Sequence, residues 1–138
     1  MASVLYTSFF RDLLKGDIDL DTATVKALLT TNSYTENKDH DRRDDVTNEL
    51  ATGNGYTAGG VTITPVVSAV DTANDRVTLT LPAATWSGFT GTARRLVYYV
   101  STGTASADPL IACVDFGSDV TRTAQTFEVS ASTVTWQN

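Results

Sequence analysis

One cysteine and one histidine are all the thiol and imidazole chemistry in this 138-residue chain. A lone Cys113 excludes an internal disulfide, and a lone His40 excludes the paired imidazoles of most zinc sites. Cys113 has no candidate base outside the loop that carries His40, and no Gly-x-Ser-x-Gly elbow occurs. Basic residues are few: ten Lys and Arg against sixteen Asp and Glu give a net charge of −6. Phosphate backbones are bound by clustered Lys and Arg, so direct nucleic-acid binding is not expected. Of the two basic doublets, Arg42-Arg43 is offset by Asp39, Asp41, Asp44 and Asp45, leaving only Arg94-Arg95. No apolar run reaches membrane-spanning length, and the N-terminus lacks the basic-then-apolar pattern of a secretory signal. These absences predict no enzyme, no cofactor, no bound metal and no membrane partner.

What is present is hydrophobic patterning on the scale of one domain, with 41% hydrophobic and 19% charged residues. Residues 4–15 carry a helical period. Leu5, Phe9 and Leu13 form one row and Tyr6, Phe10 and Leu14 the next, opposite Thr7, Ser8, Arg11, Asp12 and Lys15. Ser3 is the candidate cap and Gly16 the stop. Residues 21–31 fit a helix through Val25, Leu28 and Leu29, or a strand through Val25, Ala27 and Leu29. Residues 34–50 form a charged stretch of alternating sign, expected to be a solvated loop.

From Gly53 onward the chain reads as short strands punctuated by turns. Residues 61–64 alternate before Pro65, which suits an edge or a bulge. Residues 66–70 resume, 71–75 turn, and Val77, Leu79 and Leu81 mark the inward face of 76–81. Residues 86–91 read as a loop around Gly88. Residues 94–101 are apolar on both faces, as in a central strand; 110–116, 125–130 and 133–137 complete the set. The expectation is a single domain, 1–138: a mainly β, sandwich or jelly-roll-like fold with a short N-terminal amphipathic helix, a charged loop over 34–50 and a β body over 53–138.

Two motifs mimic binding sites. Asp17, Asp19 and Asp21 begin like a calcium loop, but Thr22 and Leu28 stand where the turning Gly and the clamping Glu belong. Gly53, Gly55, Gly59 and Gly60 resemble a phosphate cradle but lead into a strand, with no Lys-Ser or Lys-Thr. Trp86 and Phe89 could stack on a sugar ring, seal an end of the sandwich or anchor a protein interface.

An ordered series of short segments resembles small virion structural proteins of tailed bacteriophages. They are Phe9-Phe10-Arg11-Asp12-Leu13-Leu14-Lys15-Gly16, Ile18-Asp19-Leu20-Asp21, Val25-Lys26-Ala27-Leu28-Leu29-Thr30, Tyr34-Thr35 and Asp45-Val46. Gly53-Asn54-Gly55-Tyr56-Thr57-Ala58-Gly59-Gly60-Val61, the most specific, follows, then Ala93-Arg94, Pro109-Leu110-Ile111-Ala112 and Asp115-Phe116-Gly117. The resemblance implies a strand at 25–30 and a non-enzymatic particle component, made in the bacterial cytoplasm and carried in the virion. It further implies a capsid decoration (cement) protein that binds the major capsid protein and itself, as a trimer at local three-fold positions of the head. A tail or head–tail connector part is the alternative within the particle, and a glycan-binding module the alternative outside it. Phe9, Phe10, Arg42, Arg43, Tyr56, Trp86 and Phe89 are the candidate interface residues.

Overall fold

A computed structural model describes residues 2–138. The chain is mainly β, with two antiparallel sheets and one α-helix. The larger sheet has β1 (Ala2–Leu5), β7 (Leu110–Val129), β6 (Ala84–Val100), β2 (Val25–Thr30) and β3 (Val61–Ile63) in that spatial order. The smaller has β4 (Val66–Val67), β5 (Arg76–Leu81) and β8 (Ser132–Gln137). Helix α1 spans Thr7–Lys15.

The two sheets are made largely from one ribbon. In the β5–β8 ladder Leu81 faces Ser132, and in the β6–β7 ladder Ala84 faces Val129, so the register crosses both connections unshifted. Pro82-Ala83 and Ser130-Ala131 are therefore a corner at which a long hairpin bends into a second layer. Proline suits that corner because it cannot donate to a ladder. The bend brings Leu79 and Leu81 against Leu96, Tyr98, Ile111 and Val114 in one core.

β6 is central and buried on both faces. Leu96, Tyr98 and Val100 belong to the core under the small sheet, while Val97 and Tyr99 join Tyr6, Leu28, Tyr34, Leu110 and Cys113 in a second core. The period of two sorts the run between the layers. Residues 25–30 are a strand, hydrogen-bonded to both β6 and β3. Pro65 lies between β3 and β4, where the chain leaves one sheet for the other. The turn at 71–75 is closed by the Asp71 N–H donating to the Arg76 C=O at 2.8 Å.

Several expectations are corrected. The helix starts at Thr7, not residue 4, and Ser3 is a ladder residue opposite Val114. Tyr6 takes the N-cap position with no side-chain cap, while Gly16 (φ +79°) ends the helix as its sequence suggests. The buried stripe is shifted: Ser8, Phe9 and Asp12 are buried, whereas Phe10 is 37% and Leu14 89% exposed. The cause is the 34–50 segment, which packs on the helix's polar side and makes that side internal. Residues 86–91 are not a loop; they lie inside β6, and Gly88 (φ +60°) marks a register shift there instead of a turn. Residues 117–124 likewise continue β7, with Gly117 and Ala124 in left-handed conformations along it.

Candidate interaction surface

Of the seven candidate interface residues, four point inward. Phe9, Tyr56, Trp86 and Phe89 are at most 3% exposed. Trp86 meets Phe127 edge-on at 6.0 Å between ring centroids, Phe89 lies 5.0 Å from Phe127, and Tyr56 lies 6.1 Å from Trp86. Aromatics enclosed in this way pack the core and offer no face to a sugar or a partner. This corrects the expectation for these four side chains; Trp86 and Phe89 are three residues apart, and the register shift at Gly88 between them brings both to the same interior. Phe10 stays at the surface, 6.0 Å from Phe9.

Arg42 and Arg43 are half-buried and committed within the chain. Arg42 donates to Asp12 Oδ2 at 3.0 Å, and Arg11 donates through Nε to Asp12 Oδ1 at 2.9 Å. Asp12, with no exposed surface, is thus held by two guanidinium groups. Burying a carboxylate is costly unless both oxygens find charged donors, and here they do. Arg43 donates to Glu49 Oε2 at 3.1 Å and lies over the Tyr99 ring. The charged stretch is therefore a fitted cover over the second face of the large sheet, not a solvated loop.

Beneath that cover the Tyr6 and Tyr34 hydroxyls lie 2.8 Å apart, and the Tyr34 hydroxyl is 3.1 Å from His40 Nδ1. Burial pushes the Tyr34 phenol up to about 12. Burial, then the charge of Glu36, pushes the Cys113 thiol up to about 12 as well. A thiol so protonated is a poor nucleophile. In the native protein Cys113 should give no reaction with a thiol-specific chromogenic disulfide over hours, and full reaction once denaturant is added. Fast labelling of native protein would contradict its placement.

Arg94 and Arg95 close the cover from below. Arg95 binds Glu36 at 2.5 Å, Asp115 at 3.2 Å and the Tyr34 carbonyl; Arg94 donates to Asp115 at 2.8 Å. Burial works against the charged form of Asp115, but the bonds from Arg94 and the Gly117 N–H, with the Arg95 charge, hold its pKa below the usual carboxylate range. The unfolded chain then binds more protons between the folded value and about 3.9, so stability rises with pH through that window. It is lost as pH falls through the folded value. Arg94→Met should flatten this acid limb in denaturant titrations at stepped pH; an unchanged slope would remove Asp115 from the account.

The Gly-Tyr-Thr-Ala-Gly-Gly stretch is a brace. Tyr56 donates its hydroxyl to Glu49 Oε1 at 2.8 Å and accepts the Leu29 N–H at 3.0 Å. The Gly59 N–H donates to the same carboxylate oxygen at 2.5 Å, and the Gly59 carbonyl accepts Tyr99 Oη at 2.7 Å. Gly60 (φ +79°) runs so close to β2 that an added Cβ would lie 1.8 Å from the Ala27 carbonyl oxygen. Gly55 (φ +82°) presses on the Gly88 carbonyl, at 2.6 Å from its own notional Cβ. These glycines serve close backbone approach, not phosphate binding.

The exposed apolar side chains lie elsewhere. Leu14 is 89%, Val70 71%, Val66 58% and Val67 47% exposed. Val67 also borders a cleft of about 430 Å³ with Leu13, Ile18 and Leu20, so strand β4 and the end of α1 share one side of the molecule. The exposure of Val66 and Val67 is not legible in the strand pattern, which does not say which strand is an unpaired edge; Val70 lies beyond the end of β4. Among the described residues, no cluster of three metal-ligating side chains occurs, and no helix is long and apolar enough to cross a membrane.

Comparison with protein-family models, curated proteins and solved structures returned no match.

Proposed function

We propose that this chain is a non-enzymatic structural subunit of a tailed-bacteriophage particle, a capsid decoration protein that binds where major capsid subunits meet. The observation that carries the reading is the exposed edge strand β4, Val66 and Val67, whose Val67 borders an apolar cleft with Leu13, Ile18 and Leu20. Isolated exposed hydrophobics are ordinary, but an edge strand of exposed valines beside an apolar-lined cleft is the composition of a protein contact. The segment resemblance supplies the kind of particle. A body with both faces of its large sheet covered, and its charged loop locked by ion pairs, suits a part that must hold shape under load.

The test is co-sedimentation of purified chain with phage heads stripped of accessory proteins. Wild-type chain should saturate a fixed number of sites, and the double substitution Val66→Lys, Val67→Lys should weaken binding at least tenfold while leaving the circular dichroism spectrum unchanged. Binding to tails alone would favour a connector role, and binding to neither would reject the particle reading.

A further inference from the structure

The strand edges of this protein are protected unequally. β3 and β4 are three and two residues long and flank Pro65, and the outer part of β7 is interrupted by left-handed Gly117 and Ala124. Such short, broken or bulged edges resist pairing with another chain. β8 has none of these defences. Its six residues Ser132-Thr133-Val134-Thr135-Trp136-Gln137 contain no charge and no proline, and they pair with β5 in unbroken register. In a chain of net charge −6 this edge carries nothing to repel its own copy. A groove of about 400 Å³ runs beside it, between Ser132–Thr135 and Ser3–Leu5 of β1, floored by Leu81, Tyr98, Ala112 and Val114. The Tyr98 hydroxyl at its floor is buried, with Ser132 beside it but no partner of good geometry.

The direction of the backbone groups is set. The Asn138 N–H donates to the Asp75 carbonyl at 3.0 Å, while the Thr78 carbonyl accepts from Ser68 on the β4 side at 2.9 Å. By alternation, Ser132, Val134 and Trp136 turn their N–H and C=O toward β5, and Thr133, Thr135 and Gln137 turn theirs to the open edge.

We infer that β8 pairs antiparallel with β8 of a second copy about a two-fold axis at Thr135, joining two small sheets into one of six strands. Centring on Thr135 opposes Thr135 to its own copy and Thr133 to Gln137, so every outward backbone group is bonded. It also opposes Val134 to Trp136 twice on the inner face, an aromatic–β-branched pairing of the kind that stabilises sheets. There the second copy's β8 overlies the groove beside β1, and its inward side chains cover the groove's apolar floor. The contact is isologous, so it yields a dimer and not the trimer that the resemblance implies. It stands independently of the particle reading, because it concerns the chain alone.

Light scattering on the full chain up to millimolar concentration should show a dimer; a monomer throughout, or a trimer, overturns the inference. Thr135→Lys sets two cations face to face at the axis and should give monomer, whereas Val66→Lys on the opposite edge should leave the dimer intact. Cysteine pairing tests the register without a risk to folding, since the native Cys113 is buried. Opposed hydrogen-bonded residues have Cα atoms about 5.5 Å apart, within disulfide reach. Thr135→Cys should cross-link to itself under mild oxidation. Thr133→Cys and Gln137→Cys should cross-link only when mixed. Failure of Thr135→Cys, or self-linking of Thr133→Cys, overturns the pairing.

Discussion

Gly60→Ala should leave too little folded protein to purify, or lower stability by more than about 4 kcal/mol. The new methyl carbon would sit 1.8 Å from the Ala27 carbonyl oxygen and 2.8 Å from Leu28 Cα, both backbone atoms of a central-sheet strand. Neither can retreat without breaking the β2 ladders to β6 and β3. The left-handed φ of +79° adds about 1 kcal/mol of strain for an alanine. Gly103→Ala is the matched control: its φ is also left-handed, at +97°, but nothing lies within 4 Å of its notional Cβ. Chemical denaturation of the two should differ by several kcal/mol. Equal losses would mean that conformation alone, not the approach to β2, makes Gly60 necessary.

Arg42→Met should cost about 3–5 kcal/mol, the usual penalty for stripping a partner from a buried charge. It leaves Asp12 enclosed with only Arg11, whose side chain is 48% exposed. Asp12→Asn in the same background should recover part of the loss, because a neutral amide tolerates burial better than a half-paired carboxylate. The double-mutant cycle is the measurement, and a coupling near zero would make the Asp12–Arg42 contact incidental.

How much of this was written in the sequence varies by element. Alternation at Val77, Leu79 and Leu81, the run from Leu96 to Val100, the turn at 71–75 and the helix stop at Gly16 each rest on local rules that nothing distant overrode. The bend that converts one ribbon into two sheets was legible only as Pro82, because a corner and a strand end look alike to a local reading. Gly88 misled for the same reason: a left-handed glycine can bulge a strand as well as end it. Asp12 was placed on the solvent face by helical period, which is blind to the 34–50 cover that buries that face. Four of the seven interface candidates, Phe9, Tyr56, Trp86 and Phe89, are buried for a related reason. Aromatics such as Trp86 and Phe89 draw the eye, yet the residues left bare are the valines of β4 and Leu14. Their exposure follows from sheet order, which strand patterns do not encode.

Cryo-microscopy of phage particles assembled in the presence of the chain tests the proposed role, adhesion of a two-sheet body to neighbouring subunits, most directly. The expected result is density for this fold on the head lattice, with the Val66–Val67 side of β4 against capsid subunits. Density with that side facing solvent, or no density for the fold anywhere on the particle, would contradict it.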